Sequence, residues 1–184
     1  KETTAPVKAL PLTAEAKIRM KLESLHEAKT DPKAIAEIWP YLDHADRHVR
    51  YATRVAIERQ PSAGWASKAL SATSSWSLIE GMVALARVGE KGHQQAILKR
   101  LGSLDPKRLN RDQLLAWIRA HSLAMSRHGE PNNPAALAKR FRPLFPSGDN
   151  MVDRDLAEML IYLKDPSVVP TALQLMATAK DDHT

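Results

Sequence analysis

Five breaks divide this chain into helical stretches: Asp31-Pro32, Gln60-Pro61, Lys91-Gly92, Asn133-Pro134 and Asp165-Pro166. Proline lacks the N–H that a helix interior needs, and its ring collides with the preceding turn. It is therefore tolerated near a helix start. An Asp or Asn beside it supplies a cap for the helix that follows. The breaks fall roughly every thirty to forty residues, which is the period of two-helix repeats. One amphipathic helix pair cannot bury its apolar stripes alone. Stacked pairs bury them against their neighbours, and that explains why such a pattern recurs.

Each interval reads as two helices. Residues 1–12 carry two prolines and no periodicity, and read as a linker. Thr13 caps a first helix whose face is Ile18, Leu22 and Leu25. The first unit places Ile35, Ile38 and Leu42 on its front helix, where Pro40 ends or kinks it, and Val49, Ala52 and Ala56 on its rear helix. The second pairs Trp65–Leu70 with Leu78–Val88. The third pairs Ile97–Leu104 with Leu114–Met125, and the fourth pairs Leu137–Leu144 with Val152–Leu163. A final front helix starts near Ser167 and holds Val169, Leu173 and Met176. Small rear-helix residues, among them Ala52, Ala56, Ala84, Ala86 and Ala120, permit close approach. Strand signals are missing: glycine and aromatics are few, and no alternating runs are bounded by turn pairs. At 184 residues the chain is long enough for one domain with a sizeable core, here 13–184.

Residues 38–56, Ile-Trp-Pro-Tyr-Leu-Asp-His-Ala-Asp-Arg-His-Val-Arg-Tyr-Ala-Thr-Arg-Val-Ala, resemble a HEAT repeat. Pro40 stands for the front-helix proline, Asp43 or Asp46 for the turn aspartate, and Val49-Arg50 for the opening of the rear helix. The resemblance implies an all-α fold, a right-handed α-α superhelix of HEAT/armadillo type with about four pairs and a terminal half-unit. In such repeats the aspartate and arginine bond between units. A wider stretch, with Trp117–Leu123, Pro143–Pro146 and Arg154–Leu163, is similar to a HEAT-like segment of large exported bacterial proteins. Those also carry a dehydrogenase-like propeller and a c-type haem domain. The resemblance implies an extracytoplasmic location, neighbouring domains of the same chain as partners, and a non-catalytic scaffolding role. It also places a c-type haem in an adjoining domain, with no cofactor in this chain. It assigns no catalytic residues here.

Composition narrows the chemistry. Cysteine is absent, so these residues hold no disulfide, zinc–thiolate site, thiol nucleophile or covalent haem attachment. No apolar run reaches the roughly 18 residues of a membrane span. There is no phosphate-cradling glycine loop, no His-Glu-x-x-His pair and no Gly-x-Ser-x-Gly elbow. His44 and His48 are four apart, but His44 falls in a turn, so a shared metal face is not expected.

The net charge of +6 admits an acidic partner, an anionic surface or nucleic acid. Two basic groupings stand out. Arg47, Arg50 and Arg54 form one stripe on the first rear helix. It reads either as a docking face for carboxylates or phosphates, or as an internal ladder with Asp43, Asp46 and Glu58. Lys99, Arg100, Lys107, Arg108, Arg111 and Arg119, continued by Lys139, Arg140 and Arg142, concentrate charge on the middle repeats. Such a patch suits phosphate contacts, and the alternative function is a basic HEAT-like nucleic-acid binder of DNA-glycosylase type. That chemistry needs a carboxylate beside aromatics in a cleft, a set the sequence does not identify. The four tryptophans lie in apolar patterns and are expected in the core. At the far end Leu173, Leu175 and Met176 are expected to form an apolar contact edge.

Overall fold

The computed structural model describes residues 11–27 and 32–178. Among the described residues every regular element is helical. The ten α-helices are α1 (Ala14–Glu23), α2 (Pro32–Ile38), α3 (Arg47–Glu58), α4 (Ala66–Leu70), α5 (Ser75–Val88), α6 (Gln94–Leu101), α7 (Arg111–His128), α8 (Pro134–Phe141), α9 (Asn150–Tyr162) and α10 (Val168–Thr178). The linker residues 1–10 and the Asp31 side of the first break lie outside the described residues.

Polar residues start several helices, at the Asn133-Pro134 break and in the turns between breaks alike. Thr13 Oγ1 accepts from Ala16 N–H at α1. Asp46 accepts from His48 and Val49 at α3. Asn133 accepts from Ala136 at α8, and Asp149 accepts from Met151 and Val152 at α9. Asn110 and Gln113 cap α7 reciprocally. Each such bond satisfies an N–H that has no partner within its helix. Gly129 ends α7 at φ 100°, a left-handed conformation that costs glycine little. Pro40 acts as expected: α2 stops at Ile38, and a 3₁₀ turn, Trp39–Asp43, follows.

The helices pack in two layers. In the rear layer α1, α3, α5, α7 and α9 pack in succession, each on the next. The 3₁₀ turn at Trp39–Asp43, with α4, α6, α8 and α10, lies against that row as the front layer. Sequence reasoning left α1 outside the pairs; the structure sets it beside α3 as a rear helix, with His26 Nε2 at 2.9 Å from Ala52 O. Ala52, Ala56, Ala84, Ala86 and Ala120 are buried between helices, as their size predicts. Gly81 serves the same end, since a methyl there would sit 3.3 Å from Ala69 Cβ on α4.

One continuous core runs between the layers. Trp65, Trp117 and Phe141 are its largest fully buried side chains. Trp65 Nε1 donates to Gln60 O at 3.1 Å and Trp117 Nε1 to Leu101 O at 2.8 Å, so neither indole N–H is left unpaired. Trp39 is also buried, but Trp76 is not: it is half-exposed on α5, which corrects the expectation that all four tryptophans are core. His121 completes an aromatic group with Trp117 and Phe141, at centroid distances of 4.5 and 5.1 Å.

Candidate functional site

The rear layer carries a charged network. Its first part joins α3 to α5. Arg50 lies almost wholly out of solvent, with its guanidinium 3.7 Å above the Trp76 ring. Its Nη1 donates to His44 O at 2.7 Å and Ala45 O at 2.8 Å, which ties α3 to the turn before it. Arg54 Nη1 donates to Glu58 Oε1 at 2.5 Å, and its Nε is 2.9 Å from Glu80 Oε2. Arg87 Nε donates to the other oxygen of Glu58 at 2.9 Å. Glu80 therefore sits between two arginines, with Arg50 Nε at 3.9 Å.

Burial works against both signs of charge here. It holds the Arg50 guanidinium below its ordinary range, against the pull of Glu80. It raises the Glu80 carboxyl even though Arg54 and Arg50 pull it down. The internal ladder is thus the arrangement the molecule adopts, but its rungs differ from those expected. Glu58 takes part, Glu80 replaces the aspartates, and Asp46 is spent as the cap of α3. Arg50 and Arg54 are buried and already engaged, so only Arg47 of that stripe is exposed.

A second part joins α7 to α9. Arg119 Nε donates to Asp155 Oδ2 at 2.8 Å, and Arg154 Nη2 to Asp155 Oδ1 at 3.3 Å. Arg111 Nε donates to Asp149 Oδ2 at 2.5 Å, which holds that carboxyl below its usual range, helped by the Val152 N–H. The depression over Arg119 and Arg154 also contains Glu158 and Asp155, so its charges balance.

The middle basic cluster does not form one patch. Arg100 Nη2 donates to Ala72 O at 2.6 Å, tying α6 to the end of α4. Arg108 is largely exposed and approaches Asp105 at 3.8 Å. Arg111 and Arg119 belong to the rear network. Lys99 lies in the front layer, where it lines a depression of about 500 Å3 with Arg140. Of the residues expected at the C-terminal apolar edge, Leu173 and Met176 are exposed, together with Val169, whereas Leu175 is half-buried on another side of α10.

The residues that sequence reasoning missed are Glu80, Asp155 and Trp76. Their partners are 26 to 36 residues away, as in Arg54–Glu80 and Arg119–Asp155. The one usable signal was Trp76 and Glu80 four apart on one helix, which puts them on the same face. Among the described residues no group of three or more His, Asp or Glu is gathered to hold a metal, and no helix is long and apolar enough to cross a membrane. Compared with family models, curated proteins and solved structures, the chain matches none.

Proposed function

We propose that this chain is a non-catalytic HEAT-type scaffold that docks or spaces neighbouring domains of a larger exported, haem-associated protein. Its two-layer stack is read as a right-handed superhelix. The observation that carries the reading is the engagement of Arg50, which stands where the repeat pattern puts its structural arginine. It is bonded to the turn before it and reaches toward Glu80 of the next unit. Charge placed in this way links units to one another and leaves little of it free for chemistry. The exposed stripe of Val169, Leu173 and Met176 supports a contact role at one end of the stack.

The test is turnover. The purified chain is incubated with oligosaccharide and nucleic-acid substrates, and no product is expected. Product formation by the wild type that is lost in a Glu80→Gln variant sinks the scaffold reading.

One observation favours the second reading, a nucleic-acid binder of glycosylase type. Glu80 and Trp76 lie four residues apart on α5 and both meet Arg50, with the exposed Tyr51 next to Arg54. Against it, both oxygens of Glu80 face arginines and Arg50 covers the indole. Fluorescence titration with duplex DNA at two salt concentrations decides, because phosphate neutralisation must give salt-sensitive affinity.

A further inference from the structure

The front layer opens where the rear layer stays closed. α6 packs on α5 and α7, and α8 packs on α9, yet α6 and α8 scarcely touch although α7 and α9 are packed together. The opening is the depression of about 500 Å3. A hydrogen bond stands at each end of α6: Gln94 Nε2 donates to Gly129 O at the start, and Arg140 Nη1 to Gly102 O at the finish. The groove between them is held from both sides.

Its floor is apolar, made by Ala96 and Leu98 of α6 and by Ala136 and Leu137 of α8. Leu98 and Leu137 are only half-buried, so part of each remains in water. Lys99 and Arg140 stand exposed beside them, and among the described residues no acidic side chain lines the groove. This sets it apart from the α7–α9 depression, where two carboxylates offset two arginines.

We propose that this groove docks an acidic amphipathic helix of a partner protein. The partner's apolar side chains lie between Leu98 and Leu137, and its carboxylates reach Lys99 and Arg140. The inference rests on the protein-interaction reading and names the chemistry of the partner. Charge complementarity selects an acidic segment, since lysine and arginine side chains only donate. Shape selects a helix: α6 has 8 residues, about 12 Å at a rise of 1.5 Å per residue, enough for two turns of a partner laid alongside. Nucleic acid fits less well, because phosphate contacts use the cations and leave the apolar floor in water.

The probe is a fluorescein-labelled helical peptide with leucines at i, i+3, i+4 and i+7 and glutamates on its flanks. A second peptide has lysine at every glutamate position. Both are titrated against the full chain by anisotropy, and the bound site is mapped by amide shifts in 15N-labelled protein. The acidic peptide is expected to bind at least tenfold more tightly than its lysine counterpart, with shifts centred on α6 and α8. Lys99→Glu and Ala136→Glu are each expected to weaken it at least tenfold. Both residues are exposed, and unchanged melting curves verify that the variants fold.

Absent or equal binding of the two peptides overturns the proposal, as does a shift map centred elsewhere. So does duplex DNA that displaces the acidic peptide and loses its own binding in both variants. None of the peptide results bears on turnover, so the docking inference and the scaffold reading fail on separate measurements.

Discussion

His121 makes a quantitative prediction about acid stability. Its ring is fully buried against Trp117 and Phe141. Nδ1 lies 2.9 Å from Trp117 O and is read as the donor, which leaves Nε2 as the site of protonation. Nε2 is buried with no partner among the described residues, so a proton there would carry charge into an apolar pocket with nothing to receive it. Burial accordingly lowers this histidine from 6.5 to about 4, with Arg140 adding to the effect and the Trp117 carbonyl opposing it. The folded pKa lies below the unfolded one, so the unfolded chain gains the proton first on acidification. The stabilisation is complete above about pH 6.5 and is lost as pH falls toward 4. Each tenfold loss of proton affinity is worth about 1.4 kcal/mol, so the full effect is about 3 kcal/mol, with about 2 kcal/mol gone by pH 5. The assay is urea unfolding at pH 7.5 and pH 5 for wild type and His121→Phe. Phenylalanine keeps the aromatic contacts and removes the titration. Carboxylates titrate equally in both proteins and cancel in the difference. The wild type should lose about 2 kcal/mol more than the variant across that interval. Parallel losses would refute the assignment of His121 as a buried neutral ring.

Glu80→Ala leaves Arg50 and Arg54 without their shared carboxylate and should cost about 3 kcal/mol in urea unfolding, the scale for breaking one side of a buried pair. Asp165 is held down to about 2 by Arg142 and Ser167. Its stabilisation is present above about pH 4 and is lost as pH falls toward 2, so Asp165→Asn should flatten that limb of an acid melt. Leu173→Glu falls on an exposed face and should leave stability within about 0.5 kcal/mol of wild type, read by thermal melting. Asp149→Ala removes both the cap of α9 and the partner of Arg111, and should lower the urea midpoint at neutral pH more than at pH 3.

The succession of helices was legible because its signals are local. Proline breaks, capping aspartates and asparagines, and stripes three or four residues apart act within a turn or two, and they located α3 to α10 closely. The role of α1 was not legible, because its stripe of Ile18, Leu22 and Leu25 does not say which helix it meets. The arginines were visible, but their use was not. Arg54 chooses between Glu58, four residues away on its own helix, and Glu80 on the next, and the structure gives it both. The basic cluster misled for a related reason. Residues consecutive in sequence, such as Lys99 and Arg100, point to different neighbours once α6 is wound, one to the groove and one to Ala72. The groove itself depends on two front helices failing to meet, which no local pattern encodes.

That failure to meet also bears on how the molecule comes apart. In a stack where each unit leans only on its neighbours, cooperativity passes through the joints, and the weakest joint sets where it breaks. Between the third and fourth units the two front helices scarcely meet each other, so continuity falls to the α7–α9 contact with its arginine–aspartate ties and to Phe141 of α8 against Trp117 and His121 of α7. The last three helices should then open as a block at a lower free energy than the rest. Amide exchange would show α8, α9 and α10 losing protection together while α3, α5 and α7 still hold theirs.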